Sequence, residues 1–296
     1  MENRLSAEHN PEPIGECPVC QNTKFKKLFS KNQKDFWKCI SCGLQKQHPL
    51  PTESILREYY ELSYRSGMYE TFSSEGDLKE MTAKQRLKEI CRRIRPSGKW
   101  LDVGASTGVF VKTLLEGSIN AEGIEISETA VSLAKENGLP VKAGTLETHL
   151  TDEKYDAITA FDLIEHLIDP ITFLKTAHSK LKPDGYLIMT MPNLNSLSRY
   201  IMRSRWYFYI PEEHLHYFNP FIIRKLLERN NFNVLFVGTT YKPMTYNYAQ
   251  TQFVEYNPMV YRFLNVASKL VPGFLRQQII PLPIGEMMVV AQMNSL

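Results

Sequence analysis

Lys99-Trp-Leu-Asp-Val-Gly-Ala-Ser-Thr-Gly-Val-Phe-Val111 is the stretch on which the reading of this chain turns. Trp100 to Val103 has strand character, Gly104 to Gly108 forms a loop, and Val109 to Val111 opens a helix. Such a loop lets a ligand approach the backbone N–H groups at the helix start. The glycine spacing is G-x-x-x-G, not the G-x-G-x-x-G of dinucleotide-binding folds. Asp102, at the strand end, separates the two further. Its carboxylate repels a pyrophosphate but attracts a cationic ligand group, directly or through water. Seventeen residues past Gly108, Glu125 ends the next strand within Gly123-Ile-Glu-Ile-Ser127. An acid there can accept hydrogen bonds from both hydroxyls of a ribose.

Outward from this unit, strand and helix patterns alternate, as in a mainly parallel sheet covered on both faces. Seven strands are expected: Trp100 to Val103, Ala121 to Ile126, Val141 to Ala143, Tyr155 to Ala160, Tyr186 to Met191, Val234 to Val237 and Met287 to Gln292. Asp169-Pro170 and Asn219-Pro220 each read as an N-cap followed by proline in the first turn of a helix. The chain divides into residues 1–50, a connector over 51–95, and the α/β domain over 96–296. The connector carries Tyr59, Tyr60, Tyr64, Tyr69 and Phe72, then an amphipathic helix around Met81 to Ile94 that Pro96 ends.

Leu101-Asp-Val-Gly-Ala-Ser-Thr-Gly108 with Glu125 resembles motifs I and II of class I S-adenosylmethionine-dependent methyltransferases, over roughly residues 80 to 240. The resemblance implies a Rossmann-like seven-stranded sheet with helices on both faces. It also implies that Asp102 meets the ammonium or sulfonium of S-adenosylmethionine and Glu125 its ribose. Val103, Gly104, Ala105, Ser106, Gly108 and Ile126 would complete the cofactor site. Thr145 and Leu146, in Gly144-Thr-Leu-Glu147, match the segment that holds adenine partly by backbone, and Phe161 follows the fourth strand. In that family a further glycine is common where this chain has Ser106.

Phe161-Asp-Leu-Ile-Glu-His-Leu-Ile-Asp-Pro170 is similar to the post-strand segment of the ubiquinone-biosynthesis O-methyltransferase subgroup. Asp162, Glu165 and His166 are spaced to share a helix face, at the strand ends where open α/β sheets place their sites. His166 is the candidate base, with Glu165 or Asp162 orienting it and raising its basicity. Asp162 and Glu165 read equally as an N-cap and its capping-box partner. His214 and His216, in Pro211-Glu-Glu-His-Leu-His-Tyr-Phe-Asn-Pro220, would point one way from an extended segment and contact the acceptor, or serve as hydrogen-bonded structural histidines. Arg205, beside Trp206-Tyr-Phe208, is a candidate contact for an anionic substrate.

Cys17-Pro-Val-Cys20 and Cys39-Ile-Ser-Cys42 supply four thiolates, the set that closes a structural zinc site. Phe25, Leu28, Phe29, Phe36 and Trp37 between the pairs suggest a hairpin, so a zinc-ribbon-like module is expected to precede the sheet. Lys24, Lys26, Lys27, Lys31, Lys34 and Lys38 make it basic, which keeps RNA as an alternative partner. The overall net charge of only +3 does not call for nucleic acid. No apolar h-region follows Met1, and no apolar run reaches the roughly 18 residues of a spanning helix, so a cytoplasmic enzyme is expected. A helix over 258–271, with Val260, Phe263, Leu264 and Ala267 on one stripe, would dock on the domain or touch a membrane surface. The leading expectation is methyl transfer to a hydroxyl of a sugar, nucleotide-sugar or similar metabolite. The zinc-plus-methyltransferase layout resembles enzymes of surface-polysaccharide and deoxysugar pathways. The alternatives are an RNA methyltransferase and a non-catalytic zinc scaffold.

Overall fold

A computed structural model describes residues 14–66, 76–245, 258–268, 272 and 278–294. The central sheet has seven strands: β4 (Lys99–Val103), β5 (Asn120–Glu125), β6 (Val141–Ala143), β7 (Tyr155–Phe161), β8 (Leu181–Pro192), β10 (Phe232–Thr239) and β13 (Glu286–Met293). Their spatial order is β10-β13-β8-β7-β4-β5-β6. The five strands from β8 to β6 are parallel, and β13 runs antiparallel between β8 and β10. From β4 the chain builds outward through β5 and β6, then returns to place β7 on β4's other side. That reversal opens a crevice at the carboxyl ends of β4 and β7, where ligands bind in open α/β sheets.

Period-two alternation sorts the strand residues between two cores. Leu101 and Val103 of β4 join Phe173, Leu174, Ile222 and Leu226 of helices α5 (Pro170–Lys180) and α7 (Pro220–Glu228) on one face. Trp100 joins Ile90, Phe110, Val111, Leu114 and Val131 on the other, under α2 (Gly76–Cys91), α3 (Val109–Glu116) and α4 (Glu128–Glu136). The expected caps form. Asp169 accepts from the Ile171 and Thr172 N–H groups, and Asn219 from that of Ile222. The connector helix α2 begins five residues before Met81 and ends at Cys91. The segment to Ile94 continues as a turn, with the Ile94 N–H still bonded to the Ile90 carbonyl.

The cysteine-bearing segment forms the hairpin β1 (Phe25–Lys31) and β2 (Lys34–Cys39), followed by β3 (Gln45–His48). The short strand β9 (His216–Tyr217), from the α/β domain, pairs antiparallel with β3 and becomes the fourth strand of this sheet. Cys17, Val19, Cys39 and Leu44 are buried in the same core as α5 and α7. Phe29 stacks on Phe36 at 4.6 Å, and Tyr209 meets both rings edge-on. The sequence expectation of a hairpin core holds for these two rings, but Leu28 points outward, 36% exposed.

Helix α1 (Glu53–Arg65), capped by Thr52, lies beside α4 at the carboxyl ends of the strands. Helix α6 (Leu197–Met202) and the strands β11 (Lys242–Met244) and β12 (Ile280–Leu282) complete the edge near β13. The C-terminal helix α8 spans Pro258–Ser268. Of its expected apolar stripe, Phe263 is exposed, and the end of the expected helix, residues 269–271, lies outside the described residues. Among the described residues no helix is long and apolar enough to cross a membrane.

Candidate active site

The glycine loop leaves β4 through three left-handed positions: Gly104 (φ 75°), Ser106 (φ 50°) and Gly108 (φ 80°). At Gly108 the requirement is doubly strict, since a Cβ would sit 2.8 Å from Leu139 Cδ1. Ser106 accepts a conformation that costs a side-chain-bearing residue about 1 kcal/mol. Its neighbours offset this. Its N–H donates to Glu125 Oε2 at 2.8 Å, and its hydroxyl accepts from Tyr64 Oη at 2.6 Å.

Asp102 and Glu125 end adjacent strands and flank this loop, both buried. Asp102 accepts from Thr159 Oγ1 at 2.6 Å. Burial pushes its carboxyl up to about 7, against the pull of Thr159 and Arg86. Glu125 accepts from the backbone N–H of Ser106 and, at 3.0 Å, that of Ser127. Burial raises it too, opposed by those donors. Each oxygen keeps lone-pair capacity beyond these bonds, so the pair fits a ligand with one cationic group and a diol. Val103 and Ala105 are buried, Ile126 is partly open, and Gly144 donates its N–H to the Glu125 carbonyl. The Thr145 N–H donates to Thr148 Oγ1, and the Leu146 side chain enters the main core. Phe161 packs edge-on against Phe110.

Across β4, the end of β7 carries the other cluster. Asp162 is not an N-cap. It adopts φ 50°, donates its N–H to the Thr190 carbonyl, and pairs with Arg86 Nη2 at 2.6 Å and Lys242 Nζ at 3.8 Å. These cations hold its carboxyl below the ordinary range against the cost of burial. The following turn, Ile164–His166, has no side-chain cap, so the capping-box alternative is not realised. Glu165 is 1% exposed, and among the described residues no other group hydrogen-bonds its carboxylate oxygens. Burial, then Asp162, pushes it well above the usual carboxylate range.

His166 differs from expectation in two ways. Its Nδ1 meets Tyr60 Oη at 2.8 Å, so a tyrosine of α1 orients it and not Glu165 or Asp162. It is also held well below the usual imidazole range. Burial dominates, with His214 adding to it, and Asp162 and the Glu213 backbone oppose too weakly. The expected rise in basicity does not occur, because desolvation of the charged ring outweighs the nearby carboxylate.

The two later histidines part company. His214 precedes β9 in a turn, and its ring meets that of His166 edge-on at 4.7 Å. His214 Nδ1 donates to the Phe208 carbonyl at 2.7 Å. His216, inside β9, donates from Nδ1 to the Leu167 carbonyl at 3.1 Å. Burial pushes each ring down to about 4. The structure brings His214, not His216, to His166. Arg205 is exposed on the turn Arg203–Arg205 after α6.

Sequence reasoning missed the helix that joins the two clusters. Besides Tyr64 on Ser106 and Tyr60 on His166, Glu61 of α1 accepts from Ser127 Oγ at 2.8 Å and Thr129 Oγ1 at 2.6 Å. Tyr59 donates to Glu213 at 2.9 Å. Tyr60 and Tyr64 stand i,i+4 on one face, the signal that could have singled them out. Arg86 of α2, stacked over Phe161 at 4.6 Å, was missed as well.

The four cysteine sulfurs lie within 4.8 Å of one another, with Cys17–Cys42 and Cys20–Cys39 at 3.5 Å. Four sulfurs about 2.3 Å from one tetrahedral ion sit about 3.8 Å apart, so the quartet fits zinc. The hydrogen bond shared by Cys17 and Cys42 holds Cys17 down to about 5 and pushes Cys42 up, while burial raises Cys39, so a bound ion would displace the remaining thiol protons. The metal would be held beside the acceptor end. The Gln47 N–H donates to the Leu215 carbonyl, the Tyr209 hydroxyl to Gln45, and Arg229 to the Val19 carbonyl.

The crevice, the loop and the two strand-end acids define a class I S-adenosylmethionine-dependent methyltransferase. A family model described as a methyltransferase domain matches residues 78–237, more than half of the chain, and the chain belongs to that family. A ubiquinone biosynthesis O-methyltransferase of Actinobacillus pleuropneumoniae is 30% identical over 116 residues, 35% of this chain and 49% of that protein. A Proteus mirabilis protein of the same description is 24% identical over 55% of this chain and 73% of its own length. The chain spans about half the length of several of the curated relatives it matches. Among solved structures, a methyltransferase from Thermotoga maritima superimposes with TM-score 0.53 at 20% identity, over 82% of this chain and 100% of that one.

Proposed function

We propose that this chain transfers a methyl group from S-adenosylmethionine to a hydroxyl of a small-molecule acceptor. The observation that carries the reading is the pairing of buried Asp102 and Glu125 across the glycine loop, with the Asp162–Glu165–His166–His214 cluster on the far side of β4. S-adenosylmethionine supplies an activated methyl on a sulfonium, so no nucleophilic residue is required of the protein. Its residues have two tasks: aligning the acceptor with the methyl group, and receiving the hydroxyl proton. Glu125, with the N–H groups of Ser106 and Ser127 behind it, would hold the ribose. Asp102 would face the cationic end. Proton removal falls to the cluster centred on His166.

The relatives' description as O-methyltransferases supports oxygen as the atom methylated. For the acceptor we favour a sugar, nucleotide-sugar or similar polyhydroxy metabolite. A phenol is the rival, since the relatives are named for ubiquinone biosynthesis. RNA is disfavoured as acceptor because part of the lysine-rich face is already engaged. Lys27 pairs with Asp35, and Lys31 donates to the Tyr209 carbonyl. Labelled-methyl transfer into fractionated extract tests the reading. Label in a small polar product is expected. Label confined to RNA, or no transfer from protein that binds the cofactor, would overturn it.

A further inference from the structure

We propose that a second cavity, over the ends of β8, β13 and β10, binds a neutral sugar unit of the acceptor beyond the one that is methylated. The acceptor is then a glycoside of two or more linked units, with the reacting unit at His166. The reacting end rests on the methyl-transfer reading; the cavity and its lining do not. Its volume is about 460 Å³, within the range of small-molecule sites.

The sheet fixes its position. The lining residues Asn193 to Ser198 follow β8, Thr239 ends β10, and Glu286 opens the antiparallel β13, so all lie at one edge. At that same edge β7 ends in Phe161 and Asp162 follows. Neighbouring strands stand about 4.8 Å apart, and β13 is two strands from β7, so the cavity lies about 10 Å from the reacting end. A linked pair of sugar rings covers such a span. Lys242 joins the two places, with Glu286 at 3.0 Å and Asp162 at 3.8 Å.

The walls are tied together without a ligand. The Asn193 N–H donates to the Gly285 carbonyl at 2.8 Å, and Ser198 Oγ to the Ile284 carbonyl at 3.4 Å. Ser198 in turn accepts from Trp206 Nε1 at 3.1 Å and Tyr207 Oη at 3.3 Å. Gly285 adopts φ 103°, and a Cβ there would sit 2.7 Å from Ser198 Oγ. Glycine therefore lets the turn before β13 close onto the serine.

The lining selects the ligand class. Asn195, Thr239 and Glu286 offer donors and acceptors, while Leu197 and Ile201 present apolar surface, 73% and 68% exposed. A sugar carries the same mixture, with hydroxyls around its edge and C–H groups on its faces. An isoprenoid tail would leave the polar groups unpaired. Among the described residues, none lining the cavity is Lys, Arg or His, and the buried Glu286 carboxylate is there. Lys242, outside the lining, is already shared between Glu286 and Asp162. A diphosphate would meet a carboxylate and no cation of its own, which favours a neutral glycoside over a nucleotide-sugar.

The test is calorimetry on the full-length chain saturated with S-adenosylhomocysteine. The probes are neutral mono-, di- and trisaccharides of glucose, galactose, mannose, rhamnose, fucose and N-acetylglucosamine, with UDP- and dTDP-sugars of the same set for comparison. At least one disaccharide should bind about tenfold more tightly than its monosaccharide, the yield of two or three added hydrogen bonds. Asn195→Trp and Thr239→Trp fill the cavity from the β8 and β10 sides, each at an exposed position. Either should abolish the disaccharide's advantage while leaving affinity for the monosaccharide and for S-adenosylhomocysteine unchanged. Equal affinity for one and two units, an advantage that survives both substitutions, or tighter binding of the nucleotide-sugars overturns the proposal. A chain that does not bind S-adenosylhomocysteine overturns the methyl-transfer reading instead, and the same titrations without it still decide the cavity.

Discussion

The two halves of the site are built in opposite ways. The cofactor half is local, with Asp102, the glycine loop, Glu125 and Ser127 on one continuous segment whose strands pair directly. The acceptor half is assembled from afar, with Tyr60 from α1, Arg86 from α2, the Asp162–His166 turn, His214 and Lys242. The cysteine-bearing sheet adds β3 against β9, so the N-terminal module would form a wall of the proposed acceptor half. Local construction preserves a cofactor site under changes elsewhere. Assembly from afar lets the acceptor site vary while the cofactor site stays the same.

Losses should separate along that line. The largest is expected in His166→Ala, where turnover should fall about 10²–10⁴-fold with cofactor affinity nearly unchanged. Near-normal turnover with the true acceptor would remove His166 from the reaction. Cys39→Ser comes next. It should release the zinc and loosen β3 from β9, because metal binding and folding are coupled. Turnover should then fall further than S-adenosylhomocysteine affinity, as metal analysis and calorimetry on one preparation would show. Equal losses in both would mean that the module supports the whole domain.

Much of this was legible in the sequence, and the division is physical. Strand and glycine-loop signals are short-range, so the seven strands and the Asp102–Glu125 pair could be read from spacing. The Asp162-x-x-Glu165-His166 spacing was legible, but not its consequences. The orienting partner of His166 is Tyr60, 106 positions away, and burial reversed the expected direction of its basicity. Likewise His214 and His216 looked equivalent as i,i+2 neighbours. Only the pairing of β3 with β9 separates them, fixing His216 on Leu167 while His214 meets His166.

Acidity sharpens the comparison with smaller effects. Asp102 is pushed up to about 7 by burial, and its charged form is the one that attracts a cation. S-adenosylmethionine affinity should therefore weaken as pH falls through about 7, by up to about tenfold per unit. In Asp102→Asn that dependence should disappear, and a slope that persists would assign it elsewhere. His214 and His216 stay neutral in the fold until about pH 4, whereas unfolded histidines protonate below about 6.5. The unfolded chain then binds the extra protons, so these rings lose stability as pH falls from about 6.5 to about 4. Asp102 acts oppositely, keeping a proton that the unfolded chain sheds above about 4, so it costs stability as pH rises from there to about 7. Thermal melts of Asp102→Asn across this range should leave the histidine limb alone, and a flat profile would contradict the burial of those rings. The smallest effect is expected in Ser106→Gly. Relief of the left-handed serine is offset by loss of the Tyr64 bond and greater freedom of the unfolded chain, so melts should show a change within about 1 kcal/mol.

The most direct measurement is calorimetric titration of S-adenosylhomocysteine into the unaltered chain, Glu125→Ala and His166→Ala. The account predicts one site per chain, affinity weakened about ten- to hundredfold in Glu125→Ala (about 1.5–3 kcal/mol), and affinity nearly unchanged in His166→Ala. No binding to the unaltered chain, or equal affinity in it and Glu125→Ala, would contradict it.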